Sequence, residues 1–136
     1  MLRRLMIAAA CAVGVAALPL DAGAATSDTG PMKGRTSQGR TIRLHLQHDA
    51  VQTKSFAIKL RCRDGGILID NESGFEPAPL KGNRINDHQV GSTDEVWMKA
   101  RLRGRVLRGK VRVKDHLGRV RCNSGWVGFH AALARH

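Results

Sequence analysis

The chain has 136 residues, enough for one domain with a single modest core. Its 23 Lys and Arg against 11 Asp and Glu give a net charge of +12 and direct attention to anionic partners. Aromatic residues are 4% and Tyr is absent, which argues against the stacked aromatic platforms of single-strand nucleic-acid binders.

Residues 1–24 read as a secretory signal peptide. Arg3 and Arg4 are followed by an apolar run from Leu5 to Leu18 and a small-x-small cleavage site at Ala22-Gly23-Ala24. The run is too short to span a bilayer, and no later segment approaches the roughly 20 apolar residues required. Cleavage takes the basic and acidic totals from 23 and 11 to 21 and 10, a mature charge of +11. It also removes Cys11. The expected location is secreted or periplasmic, where the two remaining thiols, Cys62 and Cys122, are expected to form a disulfide.

Residues 25–36 are small and polar with no periodicity and are expected to be a flexible mature N-terminus; the folded domain is expected over 37–136. The first expected strand turns Ile42, Leu44 and Leu46 one way and Arg43, His45 and Gln47 the other. A second, Lys54 to Cys62, buries Phe56, Ile58, Leu60 and Cys62 and ends at Asp64-Gly65-Gly66. A short third strand, Ile67 to Asp70, is apolar on both faces and is expected to be covered. Asn71 to Pro79 reads as a loop because Pro77 and Pro79 exclude a central strand. A fourth strand runs from Arg84 to Val90. Val96 to Cys122 follows with period-two alternation of apolar and basic residues, and Trp126 to Leu133 supplies a last strand. Seven to eight short strands with polar turns predict an all-β fold, an antiparallel β-sandwich.

The register of the central hairpin can be derived. Gly104-Arg105 suits a two-residue type II′ turn. Leu102 then faces Leu107, Ala100 Gly109, Met98 Val111 and Val96 Val113, all apolar or small. The opposite face pairs Arg101 with Arg108, Lys99 with Lys110, Trp97 with Arg112 and Glu95 with Lys114. The last two suggest a cation–π contact and a salt bridge. A second hairpin is expected to pair Val111 with Cys122 and Val113 with Val120, placing Arg112 beside Arg121 and Lys114 beside Arg119. The outer face would then carry Lys99, Arg101, Arg103, Arg108, Lys110, Arg112, Lys114, Arg119 and Arg121. Two readings of this face stand side by side. It is either a solvated sheet surface that blunts exposed strands, or an anion-binding face of broad, salt-dependent affinity.

No constellation for catalysis stands out. The six histidines lack ligand spacing, so no metal and no cofactor are expected. Asp70, Asn71, Glu72 and Glu76 lack a calcium-loop signature and read as turn residues. Neither Ser124-Gly125 nor Ser37-Gln38-Gly39 is a nucleophile elbow.

Several segments resemble a group of small exported bacterial β-sandwich domains without an assigned activity. They are Gly34-Arg-Thr-Ser-Gln-Gly39, Leu60-Arg-Cys-Arg-Asp-Gly65, Pro79-Leu-Lys-Gly-Asn-Arg-Ile85, the Gly104 to Val113 hairpin and Cys122-Asn-Ser-Gly125. The resemblance implies an all-β fold with the disulfide retained and no catalytic residues to carry over. The group often has an aromatic near position 85, where this chain has Ile85.

The function expected from the sequence is that of an exported, monomeric, non-enzymatic protein binding anionic surfaces or polymers through its basic face. Anionic glycan, lipid head groups and extracellular nucleic acid are the candidate partners. The alternative is a structural or accessory envelope domain with a protein partner.

Overall fold

The computed structural model describes residues 28–135. The expected signal peptide lies outside the described residues. Ten strands form one antiparallel network: β1 Gly30–Thr36, β2 Thr41–Leu46, β3 Ala50–Cys62, β4 Ile67–Glu72, β5 Ala78–Pro79, β6 Arg84–Val90, β7 Asp94–Arg103, β8 Val106–Leu117, β9 Val120–Asn123 and β10 Val127–Leu133.

The sandwich expectation is overturned. The order β10-β1-β2-β3-β9-β8 closes on itself because β8 also pairs with β10, giving a six-stranded barrel. Strands β4 and β5 add to β3, while β7 and then β6 extend from β8. The core is all-β and apolar, built from Ile42, Leu44, Phe56, Ile58, Leu60, Leu107, Val111 and Val113 among others.

Closure depends on a strand expected to be flexible. Residues 30–36 form β1, paired to β2 on one side and to β10 on the other. Met32, Gly34 and Thr36 point inward while Lys33 and Arg35 point out, so the alternation is present but its inward residues are mostly small or polar. Small residues are needed there. A Cβ on Gly34 would sit 1.7 Å from the His130 carbonyl oxygen, and one on Gly109 would sit 2.2 Å from that of Lys99. Neighbouring backbones come closer at these positions than any side chain permits.

Two side chains complete the barrel where strands change partners. Along β3, the ladder passes from β2 to β9, and Gln38 spans the break. The Lys59 N–H donates to Gln38 Oε1 (2.8 Å), and Gln38 Nε2 donates to the Lys59 carbonyl (3.1 Å). Along β8, the partner passes from β10 to β9, and Ser124 spans that break. The Val113 N–H donates to Ser124 Oγ (2.8 Å), and the Ser124 N–H donates to the Val113 carbonyl (2.9 Å). Each supplies one donor and one acceptor, so the N–H and carbonyl of Lys59 and of Val113 are both paired where the ladder is interrupted.

The Cys62–Cys122 disulfide joins register partners on β3 and β9. Its 60-residue separation gives a loop-entropy stabilisation of about 4 kcal/mol. The central hairpin has the expected register along its whole length, from Val96↔Val113 to Leu102↔Leu107. Gly104 has φ +57° and no non-glycine residue among the described residues has positive φ, as the type II′ turn requires.

The second hairpin does not have its expected register. It turns at Gly118-Arg119, so Asp115 faces Cys122, His116 faces Arg121 and Lys114 faces Asn123. The third strand also differs from expectation. β4 is covered on its inner side alone, leaving Ile67 and Ile69 exposed at 64% and 49%. The loop read over Asn71 to Pro79 contains the two-residue β5, with Pro79 in a short peripheral pairing to β3 where a missing N–H is tolerated.

Candidate anion-binding face

The pleat sends alternate residues of β7 and β8 outward, and their neighbours across the sheet extend these into rows. One row runs Asn86, Lys99, Lys110, Gly128. The next runs Arg84, Arg101, Arg108, His130, Arg35 across five adjacent strands. A third runs Arg103, Val106, Ala132, Lys33, Arg43. Strands lie about 4.8 Å apart, so the middle row is about 19 Å long. No acidic residue occupies any of the three rows.

Of the nine side chains expected on the face, Lys99, Arg101, Arg103, Arg108 and Lys110 lie on these rows. Arg112 and Lys114 lie one and two rows further along β8, beside Trp97. Arg119 is in the Gly118-Arg119 turn. Arg121 is on β9, where it borders a separate depression over the disulfide together with Arg61, Arg63, Arg112 and Lys114. The expected pairings of Arg112 with Arg121 and of Lys114 with Arg119 are therefore corrected: Arg121 faces His116, Lys114 faces Asn123, and β10 lies beside β8 at Arg108 and Lys110. The residues missed from sequence are Arg84, Arg35, Lys33, Arg43 and His130. Arg84 was within reach, since extending the β6–β7 pairing places it opposite Arg101; the others needed the closure by β1.

Ion pairs among the described residues are His88–Glu95 and Arg105–Asp28. The expected Glu95–Lys114 bridge is absent although the two are register partners, because Glu95 Oε2 lies 3.2 Å from His88 Nε2. The expected Trp97–Arg112 contact is present, with the guanidinium 5.7 Å from the ring centroid and Lys114 Nζ at 5.3 Å. His88 stacks on the same indole at 4.5 Å, so Trp97 is already engaged. Trp126, 42% exposed, has Lys99 Nζ at 5.6 Å and Lys110 Nζ at 5.0 Å from its ring, which eases the like-charge pairing of those lysines.

The acids are gathered elsewhere. Asp70 and Glu72 lie on the inner side of β4, not in a turn, while Asp94 and Asp115 are register partners on β7 and β8. Glu72 and Asp115 are each 6% exposed, and Glu72 Oε1 and Asp115 Oδ1 are buried without a hydrogen-bond partner. Burial, and then the nearby Asp70 and Asp94 carboxylates, push Glu72 up to about 8. Burial also pushes Asp115 up, against a backbone hydrogen bond from His116, with Asp70 and Asp94 adding to the rise. At neutral pH a protonated Glu72 can share its hydrogen with the neighbouring carboxylates. No group of three His, Cys, Asp or Glu among the described residues is placed to hold a metal ion.

Compared with known proteins, the chain matches no family model and no curated sequence.

Proposed function

We propose that this protein is an exported, non-enzymatic binder of polyanions, engaging them through the outer face of β6, β7, β8, β10 and β1. One observation carries this reading: three adjacent register rows hold nine Lys or Arg side chains and no acid. Like charges in direct cross-strand register each cost a few tenths of a kcal/mol in water. A polyanion removes that cost and gains the entropy of its released counterions. The rows run from barrel strands β1, β10 and β8 onto β7 and β6, a broad spread of charge that suits broad affinity. The test is binding of duplex DNA, as a polyanion of known charge density, across a salt series. Wild type is compared with an Arg35→Gln/Arg84→Gln/Arg101→Gln/Arg108→Gln variant. Losing four phosphate contacts is expected to flatten the log K against log salt slope by roughly 3 to 4. Equal affinity and equal slope would overturn the proposal.

A second reading is favoured by a different observation. β4 pairs with β3 alone and exposes Ile67 and Ile69 on its outer side. On that reading the protein docks an envelope protein through β4 and the basic face is only solvated. Ile69→Lys, and not the four Arg→Gln changes, would then abolish the association.

A further inference from the structure

The tip of the β7–β8 hairpin carries a concavity in the outer face. Arg101, Arg103, Val106 and Arg108 line a shallow depression of about 370 Å³. That is roughly a dozen times the ~30 Å³ of one liquid water, room for a charged group and the unit that carries it. Arg101 and Arg108 are direct partners, and Val106 opposes Arg103, so three arginine side chains flank one apolar residue. Arg84 stands beside Arg101 on β6.

The fourth arginine of the tip behaves differently. Arg105, in the turn, donates to the Asp28 carboxylate and to the Ala134 carbonyl. The other arginines whose guanidinium groups hydrogen-bond are Arg35 and Arg112, so the guanidinium donors of the three around Val106 have no partner among the described residues. Lys99, Lys110 and Lys114, by contrast, lie beside the indoles, and Lys33 stands across Ala132 from Val106 on β1.

Guanidinium and ammonium groups are not equivalent here. A guanidinium presents paired N–H donors in a fixed fork, whereas an ammonium acts as a compact point charge. Three forks offer at least six directed donors to one occupant. A carboxylate has two oxygens and is satisfied by one or two forks. A phosphate group presents three or four oxygens around a tetrahedral centre and can engage all three. We propose that the depression formed by Arg101, Arg103 and Arg108 around Val106 is a phosphate subsite, and that the polyanion held by this face is a phosphate-bearing chain. This rests on the polyanion-binding reading above and specifies its ligand.

The test keeps charge constant and removes the forks. An Arg101→Lys/Arg103→Lys/Arg108→Lys variant is compared with wild type for binding inorganic polyphosphate and poly-glutamate of matched charge number at one ionic strength. Wild type is expected to prefer polyphosphate by about tenfold or more, the scale of one or two charge-assisted hydrogen bonds. The Lys variant is expected to lose most of that preference while keeping its affinity for poly-glutamate within about twofold. Arg108→Lys alone carries the same expectation at smaller size, should the triple variant fold poorly. A wild type without preference, or a Lys variant that keeps it, overturns the phosphate subsite and leaves the polyanion reading standing. A wild type that binds neither polymer overturns both.

Discussion

Replacing Glu72 by Gln should make the protein more stable at alkaline pH and flatten its pH dependence. Glu72 is 94% buried, with Asp70 and Asp94 close by, and its carboxyl is pushed from 4.5 to about 8. A raised carboxyl binds a proton in the folded state that the unfolded chain has already released. Stability from this group is therefore complete below about pH 4.5 and is lost progressively as pH rises to about 8. A shift of 3.5 units at 1.36 kcal/mol per unit sets an upper scale of about 5 kcal/mol; relaxation and proton sharing with Asp70 and Asp94 should reduce this to about 2–4. Gln keeps the shape and has no proton to lose. The assay is thermal or urea unfolding of both proteins from pH 5 to pH 8.5. At roughly 4 °C per kcal/mol for a domain of this size, wild type should lose on the order of 10 °C across the range. The Gln variant should keep only the smaller slope from Asp115, whose carboxyl is raised for the same cause. Parallel pH profiles for the two proteins would refute the reasoning.

Other outcomes follow from the barrel wall. Gly109→Val should cost about 3 kcal/mol or more, because the backbone of β7 must retreat from a Cβ placed 2.2 Å from the Lys99 carbonyl oxygen; urea unfolding measures it. Gln38→Ala should cost about 1–3 kcal/mol and speed amide exchange at Lys59, whose N–H and carbonyl both lose their partner. Reduction of Cys62–Cys122, or the double Ser variant, should lower unfolding free energy by about 4 kcal/mol, and an unchanged urea midpoint would count against the loop-closure account.

The parts of the fold that were legible in the sequence share one property: their inward residues are large and apolar. Ile42, Leu44 and Leu46, or Met98, Leu102, Leu107 and Val111, declare both strand and facing, and the Gly104-Arg105 turn then sets the register. The second hairpin shows the limit of that signal. Its expected register pairs Val111 with Cys122, and the observed one pairs Asp115 with Cys122, a slip of four residues. An even slip leaves every side chain on its own face, so hydrophobic alternation cannot distinguish the two. β1 was hidden for the opposite cause. Gly34 and Thr36 carry little apolar signal because β10 lies too close for larger side chains at Gly34. Without β1 the remaining strands suggest an open sandwich, and the Lys33, Arg35, Arg43 and His130 part of the face has no place. Asp70 and Glu72 read as turn residues because charged side chains at inward positions break the very pattern used to find strands.

The two unusual features of the charge distribution are physically connected. A buried ionised carboxylate demands a buried cation or a large solvation cost. The carboxyls at one end of the core avoid that demand by gathering together and holding a proton at Glu72, so that no Lys or Arg need be drawn inward to pair with them. Asp70, Glu72, Asp94 and Asp115 are thereby withdrawn from the outer rows, while Asp28 and Glu95 are occupied by Arg105 and His88. The cations of the three rows, Arg84, Lys99, Arg101, Arg103, Arg108, Lys110, Lys33, Arg35 and Arg43, are left facing outward with no acid on their own rows. Closure by β1 then aligns them across adjacent strands instead of leaving them on separate hairpins. A protein folded this way can neutralise its face only with solvent ions or with an external polyanion, and the latter gains by displacing the former.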